Sequence, residues 1–535
     1  MTTSPAPAGG DHGGGETPMK AAPKATMPAA DLGHVNKPLF AVTGGFILLF
    51  CAVALFDIAL LGEIVNASFA FSARYFGLYW QLLLLATFLV GLALCVLPGS
   101  GRRIGGLARP EFSHFQWGSM IMCTLLAGGG VFWAAGEPIA HFLSTPPLFG
   151  DLSDEPGAAA HAALAQSFLH WGFLAWAILG ALTSVMLMHY HYEKGLPLAP
   201  RTLLYPVFKE RALEGPIGLA ADAACIIAVV AGTVGPIGFL GLQVSYGLNA
   251  LFAIPDTFTT QTVIIVALAT LYTVSAMTGL SRGIQVLSRV NVVLAALLLV
   301  FMLLAGPTVS ILDGFVGGMT TYLGNFFDLA MYRGEAGVFG DPGWLGWWTV
   351  FFWGWFLGYG PLMAIFIARV SRGRSIRAIV VMLAIVAPIV THFWFTIIGG
   401  SGIAFEIAAP GTVSGPFEGF NLPAGLLAVT QSMPLGFLLS LLFLVLTLIF
   451  VATTGDSMSY VIAMSLSNED RPTTLLRVFW GISMAIMALV LIWTGAGGIG
   501  SLQSFIVVTA VPVSLVLLPS LWDAARITVA TARDG

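Results

Sequence analysis

The feature that most limits what this chain can become is a succession of apolar runs, each about as long as a bilayer is thick. Crossing about 30 Å of hydrocarbon takes roughly 20 apolar residues in a helix. Twelve such segments occur, near 39–61, 79–97, 117–143, 164–189, 217–247, 260–279, 286–305, 345–368, 379–400, 434–464, 475–493 and 498–519. Composition agrees, with 57% hydrophobic and only 9% charged residues, where a soluble domain carries about 25% charged. The expected fold is an all-α integral membrane protein with twelve transmembrane helices.

Basic residues set the orientation, because cytoplasmic loops collect Lys and Arg. With both termini inside, all 22 Lys and Arg fall on the inner side except Arg74 and Arg333. The outer loops carry acids such as Asp151, Asp154 and Glu155. This predicts a multi-pass protein of a bacterial-type inner membrane with both ends cytoplasmic. Cys51, Cys95, Cys123 and Cys225 lie inside apolar runs and read as small hydrophobes rather than disulfides or ligands. There is no CxxC or HExxH spacing and no GxxxxGK[ST] motif. A metal other than sodium, a cofactor, ATP hydrolysis by the chain itself and enzymatic activity are not expected. The net charge of −4 gives no sign of nucleic-acid binding.

Glycine-rich segments recur at an offset of five helices. Ala127–Gly130 in the third segment pairs with Gly354, Gly358, Gly360 and Pro361 in the eighth. Gly232–Pro236 in the fifth pairs with Thr453–Ser457 in the tenth. Transporters built from inverted repeats place their sites at such interruptions, although glycine also serves close helix packing. The predicted organisation is a disordered cytoplasmic tail over 1–37 and two added helices over 38–111. A first five-helix repeat follows over 112–307, then a periplasmic connection with an interfacial helix over 308–343. A second repeat over 344–519 and a short cytoplasmic tail over 520–535 complete the chain.

The segment WWTVFFWGWFLGYGP (347–361) carries eight aromatic residues in fifteen. Trp347 and Trp348 suit an interfacial belt. Trp353, Trp355, Phe356 and Tyr359 lie roughly 8–18 Å deeper at 1.5 Å per residue. Trp171 and Trp176 add two rings from the fourth segment, five residues apart and so not on one narrow stripe. Facing rings of this kind can hold a quaternary ammonium, which has no N–H to hydrogen bond. They can equally be core packing between helices.

At these residues the chain resembles the betaine/choline/carnitine transporters. The likeness runs through FWAAGEP (132–138), SFLHWGFLAWAI (167–178), EKGLPLAPRTLLYP (193–206), GIQVLSRVN (283–291), 347–377, ATTGDS (452–457) and LQSFIVVTAVP (502–512). It implies a leucine-transporter type 5+5 inverted repeat in helices three to twelve, and secondary uptake of a zwitterionic or cationic solute such as glycine betaine, choline or carnitine. It also implies sodium as coupling ion, a homotrimer, and membrane lipid as the surrounding partner. For the solute it points to Trp171, Trp176, Trp353, Trp355, Phe356 and Tyr359, with Gly128 and Gly129 beside them. For sodium it points to Phe450, Thr453 and Thr454, and to Thr233 for a second ion. This chain departs from the pattern at Leu179, where a third cage aromatic is usual, and at Phe356 and Tyr359, where tryptophan is usual. Val229 replaces a second threonine, and the glycines run together rather than alternating. The long osmosensing C-terminal helix of some relatives is not expected.

Among other intramembrane polar residues, Asp456 is a candidate for tuning an ion site, relaying a proton or bonding helix ends. Glu137 is expected to brace the glycine break, and His170 to be packed and hydrogen bonded. A proton-coupled or ion-independent carrier, or one for a sulfonium solute, is the alternative within the class. A solute receptor that does not transport is the alternative outside it.

Overall fold

The computed structural model describes residues 35–126, 129–278, 281–334, 337–467, 472–494 and 499–531. Gly128 and most of the expected N-terminal tail lie outside these. Within them the chain is helical, with a lone antiparallel bridge, Arg103 to Ser375, and no strand. Among the described residues, ten helices are long and apolar enough to cross a membrane, or eleven if one sharply bent pair is a single span.

Side chains and prolines start many of these helices. Asn36 accepts from the Leu39 N–H at 3.1 Å to begin α1 (Lys37–Phe56). Asp57 accepts from Leu60 N–H at 3.0 Å and begins α2 (Ile58–Val96) at once. The segment expected over 79–97 therefore starts 21 residues earlier, at Ile58. Glu63, Asn66 and Arg74 lower the hydropathy there, but 58–78 holds no proline, and the helix runs through its two glycines, Gly62 and Gly77. At 39 residues, α2 is about 58 Å long, far more than a bilayer core.

The expected break in 117–143 is present. α3 (His114–Leu126) and α4 (Gly130–Leu143) are separate and each is too short to cross alone, which accounts for a count below twelve. Gly129 is non-helical, and the Trp394 indole donates to the Gly130 carbonyl at 3.0 Å.

The other three glycine segments are not interrupted, contrary to expectation. α8 (Pro216–Phe252) runs through Gly232 and Pro236, and α12 (Phe351–Val370) through Gly358, Gly360 and Pro361. α14 (Gly436–Ser467) runs through Thr453–Ser457. Their glycines serve close approach instead: a Cβ on Gly232 would run into Tyr359, and one on Gly455 would come within 2.7 Å of Tyr272.

A break that the glycine count did not suggest divides the fourth segment. α5 (Pro156–Trp171) ends at Gly172, and α6 (Phe173–Ile178) and α7 (Thr183–Met188) follow. His392, on α13 (Ala387–Phe395), contacts the freed Phe168 carbonyl through Nε2 at 3.1 Å.

α10 (Ser281–Ala305) and α11 (Thr308–Gly324) meet at 105° across Gly306–Pro307. α11 lays Gly314 and Gly318 against Leu164 of α5. α9 (Phe258–Thr278), α15 (Thr474–Thr494) and α16 (Ile499–Leu517) complete the bundle. Part of the expected C-terminal tail is also helical, as α17 (Ser520–Thr531), and Tyr190 donates to its Asp523 at 2.8 Å.

The loop after α2 and the loop after α12 are joined by backbone bonds. Ile104 N–H meets the Arg374 carbonyl at 3.0 Å, Gly373 N–H the Ile104 carbonyl at 2.8 Å, and Arg377 N–H the Ser100 carbonyl at 2.8 Å. Gly373 sits at φ 77°, where a Cβ would strike the Arg109 carbonyl. Gly373→Ala is expected to cost about 1–3 kcal/mol, read as a lower melting temperature of the detergent-purified protein. Gly101→Ala, which meets nothing within 4 Å, should leave that temperature nearly unchanged.

Candidate functional site

A buried carboxylate organises the middle of the molecule. Glu137 lies on α4 one turn before His141, so both point from one helix face. Its Oε1 accepts from His170 Nδ1 at 2.6 Å, and its Oε2 accepts from the Trp171 indole at 2.7 Å. His170 Nε2 lies 3.0 Å from Thr349 Oγ1 and 3.0 Å from Gln166 Nε2. Glu137 thus joins the broken helix α4 to the end of α5 and, through His170, to the turn that leads into α12. This agrees with the expected bracing role of Glu137 and the expected packed state of His170. Gln166, Thr349 and His141 were not anticipated. Their partners are distant in sequence, and His141 at four residues from Glu137 was the one local signal.

The ring of Trp171 meets four other rings. Its centroid is 5.9 Å from Trp355, 5.4 Å from Phe356, 5.3 Å from Phe352 and 5.2 Å from Phe395. Most of these contacts are edge-to-face, the favourable arrangement for ring quadrupoles. Gly129 faces the cluster, and a Cβ there would run into Trp355 and lie 2.8 Å from Trp171. The close approach of α4 to the rings therefore needs glycine at 129. Phe352 and Phe395 are ring partners that the sequence reading did not single out.

The remaining candidates divide around this cluster. The Trp355 indole donates to the Gly232 carbonyl at 3.2 Å. Thr233 Oγ1 donates to the Val229 carbonyl at 2.7 Å and so accepts from Tyr359 OH at 3.0 Å. Tyr359 and Thr233 thereby join Trp355 across α8 and α12. Trp176 and Trp353 stand apart. The Trp176 indole donates to Thr391 Oγ1 at 2.9 Å. Trp353 meets His170 edge-on at 6.0 Å. Neither makes a ring contact with Trp171, Trp355 or Phe356 among the described residues.

On α14, Thr453 Oγ1 donates to the Phe450 and Ile449 carbonyls, at 3.0 and 2.9 Å. Thr454 Oγ1 is buried with no hydrogen-bond partner. A buried hydroxyl without a partner is costly unless an ion or a water binds it, and a hydroxyl with nearby carbonyls suits a hard cation. Asp456 does not face this pair of threonines as a free acid: Arg477 of α15 holds it in an ion pair at 2.8 Å.

Comparison with known proteins decides the family. The model for the betaine/carnitine/choline family of transporters matches residues 38–533. The chain belongs to the betaine/carnitine/choline transporter family. It is accordingly a multi-pass membrane transporter and not an enzyme. It is 56% identical over 501 residues, 94% of this chain and 92% of the relative, to glycine betaine transporter 2 of Vibrio parahaemolyticus serotype O3:K6. It is 33% identical over 462 residues to the glycine betaine transporter OpuD of Bacillus subtilis, covering 86% of this chain and 88% of that one. The ectoine/hydroxyectoine transporter of Virgibacillus pantothenticus is 30% identical over 492 residues, 90% of this chain and 95% of the relative.

Removal of the Glu137 carboxylate leaves two buried donors, on His170 and Trp171, without an acceptor. Each costs about 1–3 kcal/mol. Glu137→Ala is expected to lower the melting temperature markedly. Glu137→Gln keeps one acceptor oxygen and should fall between it and the unaltered protein in the same thermal assay.

Proposed function

We propose that this transporter imports a glycine-betaine-type zwitterion by secondary active transport, with sodium as the coupling ion. The observation that carries the proposal is the convergence of Trp171 and Trp355 on Gly129, with Phe356 against the Trp171 ring, in a chain 56% identical to a glycine betaine transporter. Ring faces attract a methylated ammonium by about 2 kcal/mol or more each when water is excluded. They need no buried fixed charge to do so. A cation between two ring faces sits within about 6 Å of each centroid, so faces that enclose it are about 10 Å apart. Trp171 and Trp355, at 5.9 Å, are in contact with each other. The solute enters by parting them, and the non-helical Gly129 beside them is where α4 can yield.

Sodium fits the partnerless Thr454 hydroxyl together with Thr453 and the Phe450 carbonyl. Thr233 already bonds Val229 and Tyr359, so a second ion there would have to displace the tyrosine. The same reading takes twelve helices with an inverted repeat, the inner membrane, both ends inside and a homotrimer as the family architecture.

The test is uptake of labelled glycine betaine into proteoliposomes with and without an inward sodium gradient. Trp171→Ala should lose about 2 kcal/mol, roughly a 30-fold rise in KM. Thr454→Val should abolish the sodium stimulation while leaving the protein folded. Uptake indifferent to sodium would overturn the ion assignment, and absence of both betaine uptake and competition by choline or carnitine would overturn the solute class.

A further inference from the structure

Glu137, His141 and His170 form a group that the transport reading does not use for ligand binding. The three donor atoms lie within 4.8 Å of one another, and all three side chains are buried. Glu137 Oε1 lies between the imidazoles, 2.6 Å from His170 Nδ1 and 3.6 Å from His141 Nε2. His141 Nε2 has no hydrogen-bond partner although it is buried and directed at the carboxylate. That orphan nitrogen is the second sign of a ligand site, since a buried imidazole nitrogen normally finds a partner.

The donor set is two imidazoles and one carboxylate, which suits borderline divalent ions such as zinc or cobalt. Bonds of about 2.0–2.2 Å in a tetrahedron put donors roughly 3.3 Å apart. The observed separations reach that arrangement with side-chain shifts of about 1 Å. The outer partners are already in place. Glu137 Oε2 keeps the Trp171 indole, and His170 Nε2 faces the Thr349 hydroxyl, which can accept its N–H. Such partners fix the tautomer and direction of a metal-bound histidine. There is also an approach. His141 lines a cavity of about 370 Å³ with Ser144, Trp344, Trp348, Glu418 and Phe420. That cavity reaches the group at its His141 end.

We propose that Glu137, His141 and His170 constitute a transition-metal site, reached past Trp348, whose occupation clamps α4 to α5 and arrests transport. The ion takes the place of the Glu137–His170 hydrogen bond, and His170 turns its N–H towards Thr349. Metal binding is independent of which solute the carrier moves.

The experiment titrates the untagged full-length protein in detergent with cobalt chloride and records the visible absorption of the bound ion. One equivalent per chain is expected, displaced by zinc. His141→Gln should lose the absorption, and His161→Gln, at a half-buried histidine paired with Asp313, should keep it. Zinc should then inhibit uptake reversibly on chelation, and at least about tenfold less potently in His141→Gln, the scale that loss of even an outer partner produces. No absorption in the unaltered protein, or equal absorption and equal zinc inhibition in His141→Gln, overturns the proposal. His170→Gln repeats the test should the first variant not fold.

Discussion

A single buried carboxylate holds the centre of this transporter together. Glu137 accepts from His170 and Trp171 at once. Neither donor could be left in hydrocarbon without an acceptor, because no water is there to replace it. This constraint sets the direction of the Trp171 ring, and that ring sets the places of Trp355, Phe356 and Phe395 around it. The glycine at 129 follows from the same geometry, since only a residue without a side chain passes the ring edges. An aromatic cluster that looks like packing when viewed ring by ring is thus positioned by one polar group.

Broken helices in a bilayer need the same kind of compensation. The break at Gly172 leaves the Phe168 carbonyl to His392, and beside the non-helical Gly129 the first carbonyl of α4, on Gly130, accepts from the Trp394 indole. Trp394 and His392 belong to the same helix, α13. The glycine segment of α8 stays helical even though the Trp355 indole donates to its Gly232 carbonyl. Pro236 and Pro361 are carried inside continuous helices, tolerated because surrounding helices bury them.

What the sequence made legible follows the range of each interaction. Apolar runs reported the spans, because hydropathy is a local sum. They misplaced the start of α2, since Glu63, Asn66 and Arg74 lower hydropathy without breaking the helix. The glycine runs marked one true interruption, at Gly129, and suggested three that do not occur, because glycine between helices and glycine in a break look alike in one chain. Gly172, a lone glycine beside Trp171, was the break that mattered and gave no run to notice. The site was partly readable: Trp171, Trp355 and Phe356 meet as anticipated. Trp176 and Trp353 do not join them, as their partners Thr391 and His170 are set by tertiary placement. Asp456 could not be paired in advance with Arg477, which sits on another helix.

Gly172 separates Trp171 from Trp176, and both sides of that gap are held by neighbouring residues of one other helix. His392 holds the Phe168 carbonyl, and Thr391 holds the Trp176 indole. α13 therefore acts as a splint across a fracture. The two tryptophans do not share the rigidity of a common helix, so their spacing is inherited from α13. A small rotation of that splint would reset the distance between them, carried to Trp176 through Thr391 and to Trp171 through Phe395.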